Sequence, residues 1–428
     1  MKPKGFTLRM IHKDSEESPF YNPLDRLMTP DERLETLIDQ SRARARYIAS
    51  QINPDVYAPV AYEAATFYYA ASVGIGTFPG RPGFMNYYLV IDSGSDLTWL
   101  QCQGATQYFN QEPPLYPWQY SQSYIPTLCK DRRSDCEKCN DEGYCIYKVP
   151  YVSSQVTSGI YARENFTFDS TTRGRETFQL RMGCGFIQAN FSMGRNSRRN
   201  RIAGILGLGR GPLSFVTQLG EAGGKFSYCF EKDGQDMTGN TFLSIGADAT
   251  IPGEVRSTDI KAYSRTHYYL ILEGISVDGN RLLIPRNEFE FRNGAGGCVI
   301  DSGAPFTTMY KNIFDRVKRS VVEYFHRVYH MRPAVFDGSH LCFYTIPGYD
   351  EYRKPTITFH FQHGADFVVS ETWYIYRGKI CLAISRSDSN TPAVLFGAFQ
   401  QTNKRILYDN RNSRLSFADE DCGTIPRG

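Results

Sequence analysis

Along most of the chain, short apolar and aromatic runs are separated by Gly, Pro, Ser and Asp, the pattern of strands joined by turns. Tyr68–Ile75, Asn86–Ile91, Leu97–Cys102 and Gly159–Phe168 are rich in aromatic and branched residues. His267–Ile275, Gly297–Ile300, Thr356–Phe361 and Arg405–Tyr408 repeat this texture in the second half. Such side chains suit a pleated, half-buried surface. A helical period appears in two places. Ile313, Phe314, Val317, Val321, Val322 and Phe325 recur at helical intervals across Asn312–His326. Near the start, Thr29 suits an N-cap, Pro30 the first helical position and Glu32 a capping box. Leu34, Ile38, Ala45 and Ile48 follow on one stripe, and Arg42, Arg44 and Arg46 suit the negative end of the helix dipole. The pattern fits equally an amphipathic helix packed on a domain and a detachable basic segment. The whole predicts a mainly β protein with few helices.

An internal echo runs through the strand pattern. Leu89-Val90-Ile91-Asp92-Ser93-Gly94-Ser95 resembles Cys298-Val299-Ile300-Asp301-Ser302-Gly303-Ala304. Each copy is followed later by an apolar run entering Gly, at Ile202–Gly209 and at Ala393–Gly397. The repeat predicts two related lobes joined near residues 247–265. One Asp-Ser-Gly is an ordinary turn. Two, each at the end of an apolar strand, can meet at the axis of a two-lobed molecule. Two carboxylates at such a meeting cannot both ionise cheaply, so they share a proton and act as one acid and one base. That pair can activate a water against a peptide carbonyl. Asp92 and Asp301 are therefore the candidate catalytic residues.

Composition narrows the alternatives. The chain has 428 residues, enough for two to four domains or two large lobes. A net charge of +3 is too small to imply nucleic acid. The one dense basic run, Arg195, Arg198, Arg199 and Arg201 among Asn and Ser, reads as a solvated loop, or else a partner or processing site. No apolar run approaches the roughly 18 residues a membrane span needs. The seven histidines form no zinc pattern, and no Gly-x-Ser-x-Gly elbow or phosphate loop occurs. No cofactor or metal is expected. Cys136 and Cys139, with Cys129 and Cys145, have zinc-like spacing, set against a disulfide-stapled loop. Eleven cysteines is a high and odd count. It favours an exported protein whose leader is absent from this chain, because Phe6–Ile11 is broken by Thr7 and Arg9. The alternative is a leaderless cytoplasmic protein with reduced thiols. Asn165-Phe166-Thr167 and Asn190-Phe191-Ser192 are glycosylation acceptors that fit export.

The motifs resemble those of the pepsin-like aspartic proteases, in their plant nepenthesin-like branch. The resemblance rests on Ile91–Trp99, Ile300–Ala304, Gly204–Ser214, Lys225–Cys229, Leu395–Gln401, Tyr408-Asp409 and Leu415–Ala418. It extends to Gly5–Ser15 and Ser18–Pro23, which are similar to the start of that branch's prosegment. It implies a bilobal acid-protease fold with a central cleft and a few short helices. Residues 1–57 would be a prosegment, 58–250 an N-terminal lobe and 251–428 a C-terminal lobe. The implied activity is endopeptidase cleavage of an extended polypeptide at acidic pH by a monomer. The prosegment would be its own inhibitor, through basic residues that neutralise the cleft. Ser95 would donate to the first carboxylate. Ser93 and Ser302 would tie the lobes together. Tyr151 would be the flap tyrosine and Trp99 its support. Cys342–Cys381 and Cys229–Cys422 are the implied disulfides.

Three departures carry consequences. Ala304 stands where plant members usually have Thr, which removes a hydroxyl donor to Asp301. Ala304→Thr is therefore expected to move the pH–activity curve toward acid. The flap reads Tyr151-Val152-Ser153-Ser154-Gln155 without the family's hairpin glycines. That predicts altered specificity or lower turnover, and keeps open a weakened homologue acting as a binding or inhibitor module. The cluster of Cys102, Cys129, Cys136, Cys139 and Cys145 is irregular, and Cys184 and Cys298 have no assigned partner.

Overall fold

A computed structural model describes residues 5–12, 41, 42, 44, 69–130, 136, 138–151, 155–170, 174–191, 200–231, 241–334, 341–344, 353–376 and 378–423. The chain is mainly β and bilobal. In the first lobe, strand Met85–Asp92 runs parallel to Ile202–Gly207, with Ile91 opposite Leu206 and Asp92 opposite Gly207. The free side of Ile202–Gly207 takes Trp99–Gln101 antiparallel. The second lobe repeats this. Cys298–Ile300 runs parallel to Val394–Phe396, with Ile300 opposite Phe396, and Thr307–Tyr310 pairs antiparallel on the other side. In both lobes the chain turns at Asp-Ser-Gly and comes back across a strand that leads into Gly. Central parallel pairs are covered on both faces, which is why these strands read as unbroken apolar runs.

A sheet crosses between the lobes. Its strands lie in the order 256–261, 414–419, 404–409, 225–229, 241–246 and 5–12. The N-terminal strand Gly5–His12 also pairs with Tyr69–Ile75 and buries Met10. The core beneath is aromatic. Phe226 stacks on Tyr408 with centroids 4.4 Å apart, Tyr228 on Phe230 at 4.2 Å, and Tyr69 on Phe230 at 4.0 Å. Rings in such offset stacks gain beyond their buried area. The buried Tyr228 hydroxyl donates to Gln401 Oε1 at 2.6 Å, so its polar tip is satisfied.

Most expected strands are present with small changes of boundary. Leu97–Cys102 narrows to Trp99–Gln101, with Cys102 in an isolated bridge to Tyr116 and Thr98 Oγ1 accepting from Gly207 N–H at 3.2 Å. His267–Ile275 divides into Tyr268–Leu270 and Leu272–Val277, which pair with different partners. The long helix spans Lys311–Tyr329 and buries Ile313, Phe314, Val317, Val321, Tyr324 and Phe325, while Val322 is half-buried. It ends at His330, whose φ of 53° closes the last turn. The expected helix from Thr29 to Ile48 lies outside the described residues except for Ser41, Arg42 and Arg44, which are helical. No helix among the described residues is long and apolar enough to cross a membrane.

Five disulfides join Cys102–Cys184, Cys129–Cys139, Cys136–Cys145, Cys229–Cys422 and Cys342–Cys381. The four cysteines with zinc-like spacing are thus engaged with one another. Cys298 is the free thiol. It is buried at the start of the strand that leads to the second acid, and burial pushes its ionisation far above the usual thiol range.

Candidate active site

Asp92 ends its strand, and Asp301 follows Cys298–Ile300 directly. The backbone groups beyond each acid are held by the neighbouring strand. Leu208 N–H donates to Asp92 O at 2.8 Å, and Asp301 N–H donates to Phe396 O at 3.0 Å. The two turns are also tied to each other. Ser93 N–H donates to Ser302 Oγ at 2.9 Å, and Ser302 N–H donates to Ser93 Oγ at 2.9 Å. Ser302 Oγ in turn donates to Ile91 O at 3.2 Å. These reciprocal bonds fix the spacing of the turns.

Glycine is required at both turns for space. A Cβ on Gly94 would run into the Asp301 carboxylate, and one on Gly303 into the Asp92 carboxylate. Each glycine thus admits the opposite acid. Each also donates to its own: Gly94 N–H to Asp92 Oδ1 at 3.0 Å, and Gly303 N–H to Asp301 Oδ1 at 2.8 Å. Ser95 Oγ adds a 2.5 Å bond to Asp92 Oδ2. The second turn has no counterpart. Ala304 is buried with Tyr269, Val299 and Leu395, and no hydroxyl among the described residues donates to Asp301.

A cation fills the gap between the acids. Arg44 Nη2 lies 2.6 Å from Asp92 Oδ1, and its Nε lies 2.7 Å from Asp301 Oδ2. The arginine is 4% exposed, and both aspartates are buried. Burial pushes Asp92 above the ordinary carboxylate range and the Asp301 charge adds to this, while Arg44, Ser95 and Gly94 oppose it. A trio of one guanidinium, one carboxylate and one carboxylic acid is net neutral, which is the cheapest state for a buried cluster. The segment carrying Arg44 is anchored on the second lobe. Phe306 N–H donates to Ser41 Oγ at 2.6 Å, and Arg42 Nε donates to Arg386 O at 3.0 Å. In the sequence, Arg44 read as a charge suited to a helix end and as one of several prosegment basic residues expected to neutralise the cleft, without being singled out. Its use against the carboxylates depends on where the helix docks.

The expected flap is a hairpin of the first lobe. Strands Ile146–Pro150 and Val156–Ser170 pair up to Pro150 opposite Val156, and Tyr151 N–H donates to Gln155 O at 2.6 Å. The substituted tip, residues 152–154, lies outside the described residues. Trp99 Nε1 donates to the Tyr151 hydroxyl at 2.9 Å, and both rings are buried with Phe109 and Phe191. Beyond the first turn, Asp96 accepts from Thr266 Oγ1 of the other lobe at 2.7 Å and from Gly211 N–H of its own lobe at 2.9 Å. Asp96 went unremarked as a site residue in the sequence, although it follows Asp92-Ser93-Gly94-Ser95 directly. Away from the cleft, Asn190 is exposed with φ of 60°, while Asn165 is half-buried and donates to Thr77 Oγ1 at 3.1 Å. In the basic run, Arg201 pairs with Glu112 at 2.9 Å on the surface, and residues 192–199 lie outside the described set.

Two lobes of repeated topology with paired acids at their junction define the pepsin-like class. Comparison with known proteins agrees. Residues 69–247 match the family model "Xylanase inhibitor N-terminal" and residues 267–419 match "Xylanase inhibitor C-terminal". The chain is 31% identical to aspartic proteinase nepenthesin-1 of Nepenthes gracilis, over 99% of this chain and 91% of that protein. Its fold resembles the crystal structures of edgp (TM-score 0.67, 17% identity, 86% of this chain and 95% of that one) and of Basic 7S globulin from soybean (TM-score 0.66, 16% identity, 86% and 98%). The chain belongs to the pepsin-like aspartic protease family, in its plant nepenthesin-like branch.

Proposed function

We propose that the chain is the precursor of an aspartic endopeptidase in which Asp92 and Asp301 are the catalytic pair and the N-terminal segment is the inhibitor. The observation that carries this reading is the buried Arg44 bridging two acids whose turns are tied to each other through Ser93 and Ser302. Once the segment leaves, a water can take the place of the guanidinium between the carboxyl groups. The ionised acid removes a proton from that water, which attacks the peptide carbonyl carbon. The protonated acid gives its proton to the carbonyl oxygen, forming a gem-diol. A proton then passes to the amide nitrogen, a gem-diol hydroxyl returns one to the pair, and the C–N bond breaks to an acid and an amine. Ser95 steadies the Asp92 anion, and the hairpin bearing Tyr151 closes over an extended polypeptide held by backbone hydrogen bonds. The protein acts as a monomer in an oxidising, extracellular or vacuolar setting, which its five disulfides favour.

The test is cleavage of an unfolded protein at pH 3–6 after removal of the N-terminal segment, beside an Asp92→Ala control. Loss of cleavage in the control supports the reading, and equal rates in the two samples sink it. A second reading is a weakened homologue that binds a protein in the cleft. It is favoured by Val152-Ser153-Ser154 in place of hairpin glycines and by the inhibitor descriptions of the matched family models. Under it, the segment-free protein cleaves nothing yet forms a stoichiometric complex with a folded partner.

A further inference from the structure

Beside the first acid's turn lies a histidine to which the proposed peptidase mechanism gives no role. His267 is 1% exposed. Its neighbours are fixed against the first lobe: Arg210 N–H donates to Thr266 O at 2.9 Å, and the Tyr268 hydroxyl donates to Leu208 O at 2.8 Å. Ser264 sets the ring's tautomer. Its Oγ accepts the N–H groups of Thr266 at 3.1 Å and of His267 at 3.2 Å. A hydroxyl has two lone pairs and one proton, so the proton is left for His267 Nδ1, 3.0 Å away. Nδ1 is then the acceptor, and the neutral ring carries its own proton on Nε2.

That Nε2–H is buried and has no hydrogen-bond partner among the described residues. It faces the Gly94 carbonyl, which attracts a proton there without closing a hydrogen bond. Arg44, the other group on that side, is all donor and cannot satisfy it. A buried donor left open is costly and calls for an acceptor brought by something other than the folded chain. Gly94 is packed against Arg44, whose Nη2 occupies the place a Cβ on Gly94 would take, so the ring and the guanidinium flank the same turn.

We propose that His267 is a positioning residue whose Nε2–H donates to a carbonyl or carboxylate oxygen of the peptide that replaces the Arg44 segment in the cleft. This rests on the peptidase reading above. The charged groups around the ring are Arg44 and Asp92, with Asp96 behind Thr266. Burial and then Arg44 hold His267 down to about 3, against Asp92 and the Gly94 carbonyl. The ring is therefore a neutral donor, not a cation, at mildly acidic pH while the segment is in place.

The experiment uses segment-free enzyme and a peptide series in which each residue flanking the scissile bond is varied among Glu, Gln, Leu and Phe. His267→Phe keeps a planar ring and removes the donor, and should lower kcat/KM about tenfold, mainly through KM. His267→Gln restores an N–H and should recover most of the loss. A uniform loss across the series identifies a main-chain carbonyl as the acceptor, and a loss confined to Glu and Gln peptides identifies a side-chain oxygen. His267→Phe kinetics equal to wild type on every peptide overturn the proposal. A wild-type enzyme that cleaves no peptide overturns the peptidase reading, and this inference with it. The tautomer is read separately by 15N NMR of the full, unmutated chain, where a proton on Nδ1 at pH 7 would also overturn it.

Discussion

The two acid turns share strand topology, turn sequence and a glycine that admits the opposite carboxylate, yet their surroundings differ. Asp92 accepts from Gly94 N–H and from the Ser95 hydroxyl, and has Asp96 and His267 near enough for their charges to interact. Asp301 accepts from Gly303 N–H alone within its own turn, and an alanine methyl sits where the first turn has a hydroxyl. Its support comes from the backbone side. Gln401 Nε2 donates to Asp301 O at 3.4 Å and to Phe396 O at 2.9 Å. The repeated backbone brings the acids together, and the unlike side chains break their equivalence. Under the proposed reading, a proton shared by the pair then has a preferred side, which acid–base chemistry requires.

The sharpest way to break the comparison is to remove either acid. Asp92→Asn and Asp301→Asn should each lower kcat by roughly 10²–10⁴-fold on an unfolded protein substrate. A variant retaining full rate would show that its turn does no chemistry. Arg44→Ala comes next. It leaves two buried carboxyl groups facing each other without their cation, which should destabilise the closed full-length chain by about 3–5 kcal/mol. The sign with pH follows from linkage. Arg44 opposes proton uptake at both Asp92 and His267, and at His267 burial acts with it, so the stabilisation that the guanidinium gives the closed form weakens as these groups take up protons. Its advantage is present at neutral pH and lost as pH falls through the range where these groups take up protons. Arg44→Ala should therefore free its N-terminal segment at higher pH than wild type, as measured by limited proteolysis across pH 3–7. An unchanged release profile would remove Arg44 from the switch.

The serine pair offers a more even test. Ser93→Ala orphans the buried Ser302 N–H, and Ser302→Ala orphans the Ser93 N–H. Each should cost about 1–3 kcal/mol in urea unfolding. Losses of similar size mean that the lobes share the tie equally. A much larger loss for Ser302→Ala would reflect its additional bond to Ile91 O.

How much of this was legible in the sequence follows from the range of each interaction. Apolar runs into Asp-Ser-Gly marked both turns, because strand burial and turn chemistry are local. The repeat at Ile202–Gly207 and Val394–Phe396 hinted at pairing, since a strand buried on both faces must be apolar throughout. The helix at 311–329 was readable from its stripe, although Lys311 and Tyr329 lie beyond the apolar period. Arg44 could be read as basic but not as the residue between the acids. Ser41 and Arg42 fix that placement by docking on Phe306 and Arg386, far away in sequence. His267 did not stand out among seven histidines without a zinc pattern, because its surroundings are set by folding, with Ser264 on one side of the ring and Gly94 on the other. The pairing of Cys102 with Cys184 likewise required the parallel register of Trp99–Gln101 on Gly183–Gly185.

The mildest substitution addresses the asymmetry itself. Ala304 is enclosed by Tyr269, Val299 and Leu395, so threonine would bring a methyl into a filled pocket as well as a hydroxyl. Ala304→Ser adds the donor with less crowding. A hydroxyl donating to the Asp301 anion makes a charge-assisted hydrogen bond worth about 1.5–3 kcal/mol, which corresponds to at most about two pH units. The acid limb of the pH–activity curve should move toward lower pH by that much or less. Ser95→Ala removes the matching bond at Asp92 and should move the same limb the other way. If Ala304→Ser leaves the limb where it was while Ser95→Ala shifts it, only the first turn's anion governs the acid limb, and the missing hydroxyl of the second turn has no effect on catalysis.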